Sequence, residues 1–246
     1  MDPAMIFAIA ALMAIAAALY TSVGHGGASA YLAIMALCGV SAATMKPTAL
    51  VLNLIVAGFA TIQYLRAGQF NGRLFLAFAV TAIPMAFLGG RIELPGEIYR
   101  PLLGLALAAA ALRLLVPSKS LAEREPTPPS LWVALPAGAA IGLLAGLTGT
   151  GGGIFLSPLI LLFGWETPRR TSGVAALFIL ANSLSGLAGN LTSLQALPPE
   201  LPWFAGAVIV GALGGTWLGV SRLPRERLLQ ALGLVLVVAS GKLLLT

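Results

Sequence analysis

Apolar residues run through this chain in long blocks broken by short polar seams. An apolar arm at about 4–22 meets a glycine cluster, "SVGHGGASAYL" at 22–32, and a shorter arm follows at about 28–40. Three longer apolar segments come next, at 47–65, 73–92 and 99–116. The order then repeats: an arm at 131–147, the cluster "LTGTGGGIFLSP" at 147–158, a short arm at 154–164, and segments at 172–189, 202–220 and 227–245. Crossing a hydrocarbon core of about 30 Å takes roughly 20 helical residues at 1.5 Å each. The three longer segments of each half meet that length and the short arms do not. Each arm–glycine–arm element therefore reads as a hairpin that dips into the membrane and returns.

The two halves align in chain order. Gly24-His25-Gly26-Gly27 falls on Gly149-Thr150-Gly151-Gly152, and at the same offset Gly39 falls on Gly164 and Gly89-Gly90 on Gly214-Gly215. Thr48 lies near Ser172 in this register. The pattern predicts an all-α polytopic membrane protein of two inverted repeats, each a glycine-broken helical hairpin followed by three transmembrane helices. The first repeat is residues 1–116 (hairpin 4–40), the polar, proline-bearing linker is 117–130, and the second repeat is 131–246 (hairpin 131–164).

Composition agrees: 59% of the 246 residues are hydrophobic and only 9% are charged, against about 25% in a soluble domain. The net charge of +6 is no nucleic-acid signal, because the 14 Lys and Arg residues are scattered between apolar segments. They report topology instead. With returning hairpins, one side holds Arg66, Arg73, Arg113, Lys119, Arg124, Arg169, Arg170, Arg222, Arg225 and Arg227; the other holds Lys46, Arg91, Arg100 and Lys242. By the positive-inside rule the first side is cytoplasmic and both termini lie outside. Glycine elements that crossed fully would leave no useful bias. Trp132, Trp165 and Trp203 stand at segment ends, where interfacial aromatics belong.

Non-helical backbone survives at membrane depth only where protein or a wet cavity surrounds it. Helix breaks of inverted-repeat transporters meet near the midplane, where free N–H groups and the positive dipole end suit an anion. Gly24, Gly26, Gly27, Gly149, Gly151, Gly152 and Gly153 are the candidate binding backbone, with Thr150 among them. Glycine clusters also serve close helix packing, the plainer reading for "GALGG" at 211–215. All eight acidic residues fall at segment ends or in loops, which leaves a cation or proton no carboxylate within a span. An anionic substrate fits better. Polar candidates along its path are Thr48, Thr171, Ser172, Asn53 and Asn182; buried Asn also ties helices together. His25, the single histidine, can bond substrate, carry a proton, or simply satisfy a helix break. Lys46, Arg169 and Arg170 at span entrances read first as snorkelling anchors. The glycines precede no Lys-Ser/Thr pair, which excludes a P-loop. One His, one Cys and no carboxylate within a span argue against a metal site, and no cofactor is implied.

"GLTGTGGGIFLSPLILLFG" at 146–164 and "RRTSGVAALFILANSLSG" at 169–186 resemble the TauE/SafE sulfite exporter family, and the similarity covers nearly the whole chain. The first half departs from the pattern: His25-Gly26-Gly27-Ala28 replaces three glycines, Ala33 stands opposite Pro158, and Pro47-Thr48 stands for Thr171-Ser172. The resemblance implies a non-enzymatic, multi-pass exporter of the bacterial inner membrane for sulfite or an organosulfonate such as sulfoacetate. Its partners would be that anion and the bilayer; a homodimer, an anion channel of the same fold and, less favoured, an intramembrane hydrolase stay open.

Overall fold

The computed structural model describes residues 2–21, 26–115, 126–218 and 225–245, and all regular structure in them is helical. The helices are α1 (Pro3–Thr21), α2 (Ala28–Leu37), α3 (Ala42–Arg66), α4 (Gly72–Arg91), α5 (Gly96–Leu115), α6 (Leu131–Thr148), α7 (Gly153–Leu162), α8 (Pro168–Gly189), α9 (Leu201–Leu218) and α10 (Arg225–Leu245), with a 3-10 turn at Leu191–Ala196. Gly24 and His25 lie outside the described residues. Among the described residues α1, α3, α4, α6 and α8 are long and apolar enough to cross a membrane. This is a polytopic membrane protein.

Capping explains where the short helices stop. α2 and α7 have ten residues each, about half the hydrocarbon thickness. They end before the expected 40 and 164 because Gly39 and Gly164 turn left-handed, at φ 74° and 65°. There the N–H of Val40 reaches Met35 O at 2.9 Å, and that of Trp165 reaches Ile160 O at 3.0 Å, closing both helices in the Schellman manner. α3 and α8, by contrast, begin earlier than expected. Ser41 caps α3 by accepting the Thr44 N–H at 3.3 Å, so the helix starts at Ala42 and carries Pro47 inside it. Pro168 opens α8, where its fixed φ suits the first turn and the missing N–H costs nothing. Thr171 therefore closes the first turn and Ser172 opens the second.

The packing crosses the sequence midpoint. Gly138, Gly142 and Gly146 of α6 lie on the backbone of Phe78, Ala82 and Ala86 of α4, each step advancing four residues on both helices, so α4 and α6 run parallel. Likewise Gly211 and Gly215 of α9 lie on Ala14 and Ala18 of α1. A side chain at any of these glycines would overlap a facing carbonyl, so glycine is what permits the approach. The "GALGG" stretch is such a packing surface.

α3 and α8 form the centre: 67% of the apolar window of α8 is buried, against 33% for α1 and α4. They run antiparallel, with Gly173 beside Tyr64, Ser183 beside Asn53 and Gly186 beside Leu50. α5 packs on α10, where Ser240 Oγ donates to Gly104 O at 2.9 Å. The α6–α7 element returns to where it began: Thr127 N–H, ahead of α6, donates to Gly164 O, beyond α7, at 3.2 Å. Large apolar side chains such as Phe7, Leu112, Trp132 and Val210 stay exposed and face outward, as in a lipid-facing surface.

Candidate functional site

The second break is built from left-handed glycines. α6 ends on Gly149 at φ 81°; Gly151 and Gly152 follow at 74° and 82°, and Gly152 is the N-cap of α7. L-residues pay about 1–2 kcal/mol for this backbone, so three positions of the four demand glycine. Thr150 between them is held by its hydroxyl, 2.9 Å from that of Thr148, whose own hydroxyl donates to Leu144 O at 2.6 Å. The first break differs. Gly27, the N-cap of α2, has φ −158°, whereas its sequence counterpart Gly152 is left-handed. What aligned in sequence is therefore not the same backbone turn.

Both breaks nevertheless converge on one side chain. A Cβ on Gly26 would sit 2.6 Å from Asn53 Oδ1, and a Cβ on Gly151 would sit 2.7 Å from Asn53 Nδ2. The same two hypothetical atoms would each lie 2.9 Å from Ile179 Cγ2. Asn53, fully buried on α3, accepts the Ala28 N–H at 3.1 Å through Oδ1. Its Nδ2 donates over long distances, 3.5 Å to Thr150 O and 3.4 Å to Ser183 Oγ. Gly153 packs on Ile179 as well. The site thus gathers Gly26, Asn53, Thr150, Gly151 and Gly153 with Ile179 and Ser183. The N-caps of α2 and α7 carry no side-chain cap of their own, and helix geometry leaves first-turn N–H groups without helical acceptors.

The other candidate positions face other neighbours. Gly152 faces Phe178, Ile141 and Ala145, an apolar wall. Gly149 rests on the backbone of Lys46 and Gly27 on Tyr31. Ser172 donates to Pro168 O at 3.1 Å within its own helix. Thr48, Thr171 and Asn182 are buried, and among the described residues neither hydroxyl, nor either amide atom of Asn182, has a hydrogen-bond partner. Among the described residues no side-chain hydrogen bond joins these three to Asn53.

Sequence reasoning missed Ile179 and Ser183. Four apart, they share the helical face that α8 turns to the breaks, whereas Asn182 sits about 100° round from Ser183. The signal was polarity, and it favoured the amide over its neighbour.

A cavity of about 510 Å³ opens beside the second break, lined by Lys46, Pro47, Glu93, Tyr99, Asn190 and Gln195 among others. Its inner wall touches the break: Tyr99 OH donates to Thr148 O at 3.0 Å. Lys46 Nζ donates to Gly89 O, Gly90 O and Ile92 O at 3.1–3.3 Å, closing the end of α4. Asn190 Nδ2 donates to Glu93 Oε1 at 2.7 Å. On another part of the molecule Glu166 is buried in the turn between α7 and α8, held by Asn71 Nδ2 at 2.6 Å and Thr167 N–H at 2.8 Å. That carboxylate staples two helix starts together. Among the described residues no three His, Cys, Asp or Glu side chains gather as a metal site would need.

Comparison with known proteins places this geometry in context. The family profile described as Sulfite exporter TauE/SafE matches residues 9–243. The "Probable membrane transporter protein y4hK" of Sinorhizobium fredii (strain NBRC 101917 / NGR234) is 41% identical over 228 residues, 92% of each chain.

Proposed function

Since the chain belongs to the sulfite exporter TauE/SafE family, we propose that this membrane transporter carries a small sulfur oxyanion or sulfonate, bound where its two glycine breaks converge on Asn53. The convergence is the observation that carries the reading. Two short helices, α2 and α7, start within reach of one buried amide, and each start presents N–H groups and a positive dipole end. The long Nδ2 contacts of Asn53 leave that amide free to re-aim toward an oxygen of the anion. Ser183 supplies a hydroxyl and Ile179 an apolar wall that excludes water.

The antiparallel run of α3 and α8 supports two inverted halves, 1–116 and 131–246, joined by 117–130. One half, or one hairpin, moves against the other to alternate access. The 510 Å³ cavity is the approach from the outer face, with Tyr99 as its inner wall. The family's description as sulfite exporters and the bacterial relative support export across a bacterial inner membrane.

Thermal unfolding of the purified protein tests the reading. Sulfite, sulfoacetate, sulfate, phosphate and acetate are compared at equal ionic strength. A specific ligand raises the midpoint in step with RT ln(1 + [L]/Kd). The expected result is stabilisation by sulfite or sulfoacetate that disappears in Gly151→Ala. Equal responses to all anions, or none, would overturn it.

A further inference from the structure

At the first break a phenol takes part that no reading of the glycines anticipates. Tyr31 lies on α2, one turn after the N-cap Gly27, and its side chain is entirely buried. Its hydroxyl has no hydrogen-bond partner among the described residues. A Cβ on Gly27 would overlap the Tyr31 ring at Cζ and the hydroxyl oxygen, so the OH group lies directly over the start of α2. The neighbouring phenol is spoken for: Tyr20 OH and Ser29 Oγ form a 2.5 Å hydrogen bond. Buried hydroxyls are nearly always bonded, and an exception calls for an absent partner.

We propose that Tyr31 is a specificity-determining donor of the anion site, giving its O–H to an oxygen of the substrate at the N-terminus of α2. The proposal rests on the substrate reading above and deepens it. At the start of α2 Asn53 takes only the Ala28 N–H, and the remaining first-turn N–H groups and the dipole attract any anion. A phenol O–H adds a directional donor, and a hydrogen bond to a charged oxygen is about twice as strong as a neutral one. The pair therefore selects an oxyanion with several acceptor oxygens over a halide. No phenol stands at the matching position of the second break, where Leu156 lies four residues after Gly152, so this donor belongs to one half of the molecule.

Tyr31→Phe removes one atom that bonds nothing in the unliganded protein, which separates binding from structure. The purified full chain is titrated with sodium sulfite and with sodium chloride, for wild type, Tyr31→Phe and Tyr20→Phe. Tyr31→Phe should leave the unliganded midpoint unchanged or raised, weaken sulfite binding about tenfold and leave the chloride response alone. Tyr20→Phe, which breaks the bond to Ser29, should lower the unliganded midpoint. Wild-type affinity for sulfite in Tyr31→Phe overturns the proposal while the substrate reading stands. A sharp fall in the unliganded midpoint of Tyr31→Phe also overturns it, since the hydroxyl is then structural. Absence of sulfite binding to wild type overturns both.

Discussion

The side-chain oxygen of Asn53 accepts the backbone N–H of Ala28 at 3.1 Å, although 25 residues separate them. A helix start normally finds its cap in the residue just before it. Gly27 has no side chain to offer, so α3 supplies the acceptor from across the core. The consequence is that the start of α2, the path of α3 and the second break are one assembly.

Asn53→Ala strands the Ala28 N–H in an apolar interior, a loss of about 1–3 kcal/mol. The unfolding midpoint should fall and anion binding should go with it. Asn53→Asp keeps the acceptor for Ala28 but sets a negative charge between the breaks. Its midpoint should fall less than that of the Ala variant, while sulfite affinity drops more than tenfold. Thermal unfolding with and without sulfite reads both effects.

Gly39 and Gly151 share a φ of 74°, so replacing either by Ala strains the backbone alike, by about 1–2 kcal/mol. Around Gly39 nothing lies within 4 Å, whereas at Gly151 the new methyl would meet Asn53 Nδ2 at 2.7 Å. Gly39→Ala should therefore lose only stability and keep transport. Gly151→Ala should lose stability further and abolish anion-dependent stabilisation. Sulfite flux in proteoliposomes separates the two.

Gly211 and Gly214 stand three residues apart on α9 and differ in what they face. A Cβ on Gly211 would overlap Ala14 O, while one on Gly214 meets nothing within 4 Å. Gly214→Ala should gain up to about 1 kcal/mol from helix propensity. Gly211→Ala should push α9 off α1 and lower the unfolding midpoint in detergent by several degrees.

Gln195 lines the cavity, and Arg170 lies in the first turn of α8, at the other end of that helix. In a Cys38→Ala background, Gln195→Cys should react with an anionic, membrane-impermeant thiosulfonate added to intact cells. Arg170→Cys should react only after permeabilisation. The reverse pattern would invert the orientation read from the distribution of Lys and Arg.

Hydropathy and glycine placement were enough to read the helices, their two interruptions and the short length of α2 and α7, because these depend on residues close in the chain. A left-handed cap at Gly39 or Gly164 is a local event, and so is an apolar segment long enough to span. The α1–α9 contact was half legible, since "GALGG" announces close packing without naming the partner.

Which polar group serves the site was decided only by tertiary structure. Asn53 and Asn182 look alike in sequence, yet one bonds the start of α2 and the other bonds nothing. Gly151 and Gly152 are adjacent and equally left-handed, yet one meets Asn53 and the other an apolar wall. Nothing in the sequence marks Tyr31; the fold leaves its hydroxyl unpartnered over Gly27. The physical reason is common to all three. A helix turns about 100° per residue, so one step along the chain redirects a side chain. Which direction matters is set by neighbours that the fold brings in, 25 residues away for Ala28 and 97 for Thr150 as seen from Asn53.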